Sequence, residues 1–98
     1  MLQSIGIQIL PTQENEDEVI RVVDEVIDYI KSTGLNYYVG PFETAIEGED
    51  LNELFEIAKN CTLIAGKENK AGVMAYIKVS YKHEGDVLSI AKKVTKHH

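Results

Sequence analysis

Ile5, Ile7 and Ile9 alternate with Gly6 and Gln8, the two-residue period of a strand. The pattern predicts a strand over about residues 3 to 10, ended by Pro11, which has no N–H to give to a ladder. The period then changes. Val19, Val22, Val23, Val26, Ile27 and Ile30 recur at helical spacing, and they predict a helix over about 16 to 33. Asn15 with Glu18 three positions on resembles a capping box. Acidic residues from 14 to 18 suit the positive end of that helix, and Gly34 stands where a left-handed C-cap would.

Leu35, Tyr37 and Val39 alternate again, Gly40-Pro41 interrupts, and Thr44 and Ile46 resume. Two short strands follow, about 36 to 40 and 43 to 48, joined by a tight turn. Asp50, with Glu53 three residues later, opens a second helix. Its buried face is expected to carry Leu51, Leu54, Phe55, Ala58, Cys61 and Thr62, and Gly66 is expected to stop it after about Ala65. Beyond the polar loop "GKENKAG", a strand over about 71 to 80 sends Val73, Ala75, Ile77 and Val79 one way and Gly72, Met74, Tyr76, Lys78 and Ser80 the other. Asp86 is expected to cap a short last helix running through about Thr95.

The order β-α-β-β-α-β-α predicts one α+β domain over 1–98: a ferredoxin-like sandwich with a four-stranded antiparallel sheet and both long helices on one face. The other face then raises a question. Opposite the isoleucines lie Ser4, Gly6 and Gln8, a face neither apolar nor charged. Met74, Tyr76 and Lys78 share it. If Thr44 and Ile46 look to the helices, Glu43, Ala45 and Glu47 join it, and Tyr38 joins if Tyr37 and Val39 look inward. Such a mixture suits a partner sheet and a small polar ligand better than bulk water.

Composition narrows the function classes. The chain has 98 residues and a formal net charge of −6, the opposite of the basic stripe that nucleic acid requires. One cysteine, Cys61, can form neither an internal disulfide nor a cysteine metal cluster, which points to a reducing compartment and a cytoplasmic protein. The start lacks the basic region of a signal peptide, and no stretch reaches the roughly 18 apolar residues of a membrane span. His83 is isolated at ligand spacing. His97 and His98 end the chain in a run that an affinity tag would also give, and carry no site argument. "AGKENKAG" follows a helix where a phosphate cradle opens one, and no GxSxG occurs. No catalytic residue, metal or cofactor is therefore expected.

"IQILP" at the start, "GLNYYVGPFETAIEGE" in the middle and "IKVSYK" near the end resemble the thiamine-binding, YkoF-like family of small bacterial and archaeal proteins, nearly end to end. The most specific piece is Gly40-Pro41 followed by Thr44, Ile46, Glu47 and Gly48. The resemblance implies a ferredoxin-like subunit that binds thiamine or its hydroxymethylpyrimidine portion without catalysis, with sheets pairing into oligomers, often tetramers. One departure is Tyr81, Lys82 and His83, where relatives often carry an Asp-Arg-like pair.

The residue chemistry suits such a ligand. An aminopyrimidine offers a ring nitrogen to a carboxylate and an exocyclic amine to acceptors, and its flat ring favours aromatic neighbours. A thiazolium adds positive charge. Glu47 is the candidate for the ring nitrogen, Ser4, Gln8 and Thr44 for hydrogen bonds, and Tyr38 and Tyr76 for stacking. Blander roles compete: a solvated acid at Glu47, a core methyl at Thr44, interface contacts at Ser4, Gln8, Tyr38 and Tyr76, and a small core residue at Cys61. Two other functions stay open at this level. One is a small-molecule enzyme of the dimeric ferredoxin-like type with a carboxylate acid/base. The other is a structural assembly domain with no ligand.

Overall fold

A computed structural model describes residues 1–12, 15–67, 69 and 71–97. Readings that concern Glu14, Glu68, Lys70 and His98 lie outside them. The elements are β1 (Gln3–Pro11), α1 (Glu16–Ser32), β2 (Asn36–Val39), β3 (Thr44–Gly48), α2 (Leu51–Lys67), β4 (Val73–Ser80) and α3 (Ile90–His97). The strands form one antiparallel sheet in the order β2-β3-β1-β4, the predicted ferredoxin-like arrangement.

Local signals account for most boundaries. The Asn15 side chain accepts from the Glu18 N–H at 2.9 Å, so the capping residue starts α1 where expected. Gly34 has φ +78°, the left-handed conformation that ends α1 cheaply only at glycine. Two expectations differ. Gly66 lies inside α2, which runs on to Lys67. It is not among the glycines with positive φ, and the chain instead turns at Asn69, whose N–H reaches Gly66 O and whose carbonyl receives the Gly72 N–H. The second concerns α3. Ser89, not Asp86, heads it: Ser89 Oγ accepts from the Lys92 N–H at 3.2 Å. Asp86 Oδ1 takes the Leu2 N–H instead, and together with the bond from Val87 N–H to Leu2 O it ties the C-terminal segment to the start of β1.

The core lies between the sheet and the two long helices. Ile5, Ile7 and Ile46 from the sheet meet Val22, Val26 and Ile30 of α1 and Leu54, Ile57, Ala58, Cys61 and Ala65 of α2. The α2 stripe is rotated from the expected one: Ile57 is buried, whereas Phe55 is 48% exposed. Neighbouring α1 explains the rotation, since Asn60 on the Ile57 side donates to Tyr29 OH at 2.8 Å. Cys61 is fully enclosed, and burial pushes its thiol up to about 11 from 9.0, because the thiolate loses its hydration. The native protein should therefore resist iodoacetamide at pH 8 and be modified only when urea unfolds it; rapid native-state labelling would contradict this placement. The raised pKa also means that this group's contribution to stability is complete below pH 9 and falls away as pH climbs from 9 towards 11.

Candidate functional site

Strand register arranges the face away from the helices into rows. Tyr38, Ala45, Gly6 and Lys78 stand side by side across all four strands. With strands about 4.8 Å apart, the row spans roughly 14 Å. Its two central positions carry only a methyl and a hydrogen, so it forms a trough between a tyrosine ring and a lysine arm. The Gly40–Glu43 turn, closed by Gly40 N–H to Glu43 O at 3.0 Å, sends the Glu43 carboxylate over this trough. A Cβ on Gly6 would stand 2.7 Å from Glu43 Oε2. Lys78 Nζ lies 2.8 Å from Glu43 Oε1. Gly6 is thus bare because a carboxylate occupies the place that its side chain would take. The resulting open hollow measures about 480 Å³ and is lined by Tyr38, Gly40, Pro41, Phe42, Glu43, Ala45 and Lys78.

The Glu43–Lys78 pair is exposed, with 41% and 72% of the two side chains accessible. Pairs of this kind contribute about 0–1 kcal/mol, so opening this one costs little. Glycine and lysine act together here. Gly6→Ala should displace Glu43 from Lys78 while leaving the fold intact, because the clash falls on the far end of a flexible side chain. The expected loss is below about 1 kcal/mol in urea unfolding, with the Lys78–Glu43 contact gone in a crystal structure of the variant. An unmoved Glu43 would contradict it.

One row further along lie Asn36, Glu47, Ser4 and Ser80. Here the face is covered. Ser4 and Glu47 are buried, as are Val87 and Ile90 of the segment that leads into α3. Glu47 is fully engaged: Oε1 accepts from Asn36 Nδ2 at 2.7 Å, and Oε2 accepts from the Ile90 N–H at 2.8 Å. A carboxylate at a helix N-terminus satisfies an orphan donor and the helix dipole together. Glu47 therefore docks the last helix, and the polar face is roofed at this end only.

A second hollow lies behind the same turn. A cleft of about 230 Å³ opens between α1 and the helix side of the sheet, lined mainly by Ile7, Ile9, Val23, Ile27, Val39 and Thr44. It is the better enclosed of the two, and it shares Phe42 and Glu43 of the turn with the trough; the rest of its walls are mostly aliphatic. Thr44 pairs with Ile7 and Val39 and so shares their helix-side face.

The structure accordingly divides the predicted residues. Gln8, Tyr38 and Tyr76 share the open face with the trough, Gln8 standing opposite Tyr76. Ser4 and Glu47 belong to its covered end, and Thr44 belongs to the cleft. Sequence reasoning placed Glu43 and Lys78 on this face without giving either a ligand role, because only register shows that residues 35 positions apart meet over Gly6. Among the described residues, no three of His, Cys, Asp or Glu converge as a metal site, and no helix is long and apolar enough to cross a membrane.

Residues 5–98 match the family model of the thiamine-binding proteins. The chain belongs to this family. Its relatives include UPF0045 protein CPE1503 of Clostridium perfringens, 38% identical over 94 residues that cover 96% of this chain and 95% of that one. Protein SP2199 of Streptococcus pneumoniae has a solved structure with TM-score 0.80 and 37% identity, covering 97% of this chain and 99% of its own. A Thermotoga maritima protein, TM0486, provisionally assigned to thiamine biosynthesis or salvage, gives TM-score 0.84 at 28% identity with both chains covered in full. Thiamine-binding family membership and the ferredoxin-like fold agree with each other over nearly the whole length.

Proposed function

We propose that this protein binds thiamine or its hydroxymethylpyrimidine portion, without catalysis, in the trough over Gly6 and Ala45. The carrying observation is the Glu43 carboxylate held over a side-chain-free strip of sheet. Glu43 replaces Glu47 as the partner of the pyrimidine ring nitrogen, since both Glu47 oxygens are committed within the chain. Tyr38 flanks the ring, and Gln8 and Tyr76 border the strip. A cationic heterocycle needs a carboxylate and an aromatic wall; Phe42 and Glu43 of the turn line both hollows, but the trough adds the Tyr38 ring, whereas the rest of the cleft is mostly aliphatic. Family membership supports the ligand class.

We further propose that subunits associate through this face in the cytoplasm. Tyr38, Met74 and Tyr76 are 43%, 57% and 54% exposed, and a second sheet would bury them at interface scale, about 800 Å² per partner. The unpaired Cys61 thiol fits a reducing compartment.

Isothermal titration with thiamine and hydroxymethylpyrimidine tests the ligand. Binding of at least one is expected, with Glu43→Gln weakening it tenfold or more and Glu47→Gln changing it by less than about twofold. No binding of either at millimolar concentration would overturn the reading. Equal effects of the two substitutions would remove Glu43 from its role. Sedimentation should report a dimer or tetramer; a monomer at micromolar concentration would refute the association.

A further inference from the structure

Resting on that ligand reading, we infer that the trough prefers the phosphate ester of a cationic heterocycle over the parent alcohol, with Glu43 taking the ring and Lys78 taking the phosphate. Lys78 is the only basic residue in the four strands. Its ammonium is held 2.8 Å from Glu43, over ground that Gly6 leaves clear. When a ligand opens this pair, it meets two opposite charges side by side in one trough.

The charge balance then decides the ligand class. A ligand with a single positive charge satisfies Glu43 but leaves Lys78 without its partner, beside a like charge. A phosphate dianion alone satisfies Lys78 and faces Glu43. A molecule carrying a cationic or protonated ring at one end and a phosphate ester at the other satisfies both groups at once. The ester carries about −1.5 to −2 charges at neutral pH, and a lysine is a mobile point charge on a four-carbon stem that can follow a phosphate at varied distance. Among the described residues, no other carboxylate lines the trough, and the neighbouring Glu47 is buried and committed to Asn36 and Ile90. The alternative is that the pair is an ordinary solvated contact with no part in selection.

Titration calorimetry in a phosphate-free buffer, with thiamine and thiamine monophosphate as probes, separates these. Wild-type protein should bind the monophosphate tenfold or more tightly than thiamine, and the ratio should shrink as salt is raised. Lys78→Met should reduce the preference to about twofold or less, read as the ratio of the two affinities within the variant, so that any change common to both probes cancels. Lys78 is largely exposed, so this variant keeps its fold, and circular dichroism verifies that. Equal affinity of wild-type protein for the two probes, or a preference that survives in Lys78→Met, overturns the inference and leaves the binding reading standing. No binding of either probe, nor of hydroxymethylpyrimidine, overturns both.

Discussion

Leu54→Ala should lower the free energy of unfolding by about 2–5 kcal/mol. Leu54 is wholly buried in α2, and one of its methyls lies 3.7 Å from where a Cβ on Gly48 would stand. Removing three carbons there leaves a cavity against the sheet that flanking isoleucines fill only in part. A domain of this size has roughly 5–15 kcal/mol in total, so the variant should melt some 10–30 °C lower. Leu63→Ala is the matched control. It sits on the same helix but is 60% exposed, and it should change stability by no more than about 0.5 kcal/mol. Urea unfolding at fixed protein concentration checks both, since any subunit association also adds to stability. Similar losses for the two would mean that α2 faces another way.

The second large effect belongs to Glu47. Glu47→Ala removes the acceptor for the buried Ile90 N–H and for Asn36 Nδ2, and should cost about 1–3 kcal/mol. Its damage is local. Amides early in α3 should lose hydrogen-exchange protection while those of α1 and α2 keep theirs. Glu47→Gln should be far milder, because Gln keeps one acceptor for Ile90 and the Asn36 amide can turn to offer its oxygen to the new NH2 group. Uniform loss of protection throughout the molecule, or equal effects of Ala and Gln, would show that Glu47 does more than dock the last helix.

These two residues also mark what the chain alone makes legible. Strand and helix periods around Ile5 to Ile9 and Val22 to Ile30 are decided by burial of one face, and that leaves a repeating mark in the sequence. Gly34 is equally plain, since its capping position requires a left-handed residue. The choice between Asp86 and Ser89 as helix cap is not, because both can accept from backbone and the winner depends on Leu2, far away in sequence. Phe55 and Ile57 differ by a rotation about α2 that only the position of α1 settles. The face assignment of Tyr38, Ala45 and Glu47 follows from alternation once the register with β1 is known. Alternation likewise groups Thr44 with Ile46 and with the helices, away from Gln8 and Tyr38.

Gly6 is the instructive case for the site. Its missing side chain is visible in the sequence, and so is the odd polarity of Ser4, Gly6 and Gln8. What fills the gap is a carboxylate from a turn 37 positions on, paired with a lysine on the far strand. Cross-strand meetings of that kind leave no local trace in a single chain. The sequence thus poses a question about one face, and the sheet's register answers it with Glu43 and Lys78.

The most direct measurement is an amide NMR titration of the labelled protein with thiamine. If the heterocycle lies over the side-chain-free strip, the largest shifts fall at Gly6, Tyr38, Ala45 and Lys78, with Val23 and Ile27 of α1 unmoved. Shifts concentrated instead at Val23, Ile27 and Val39 would put the ligand beneath α1, in the second cleft, and would contradict the account.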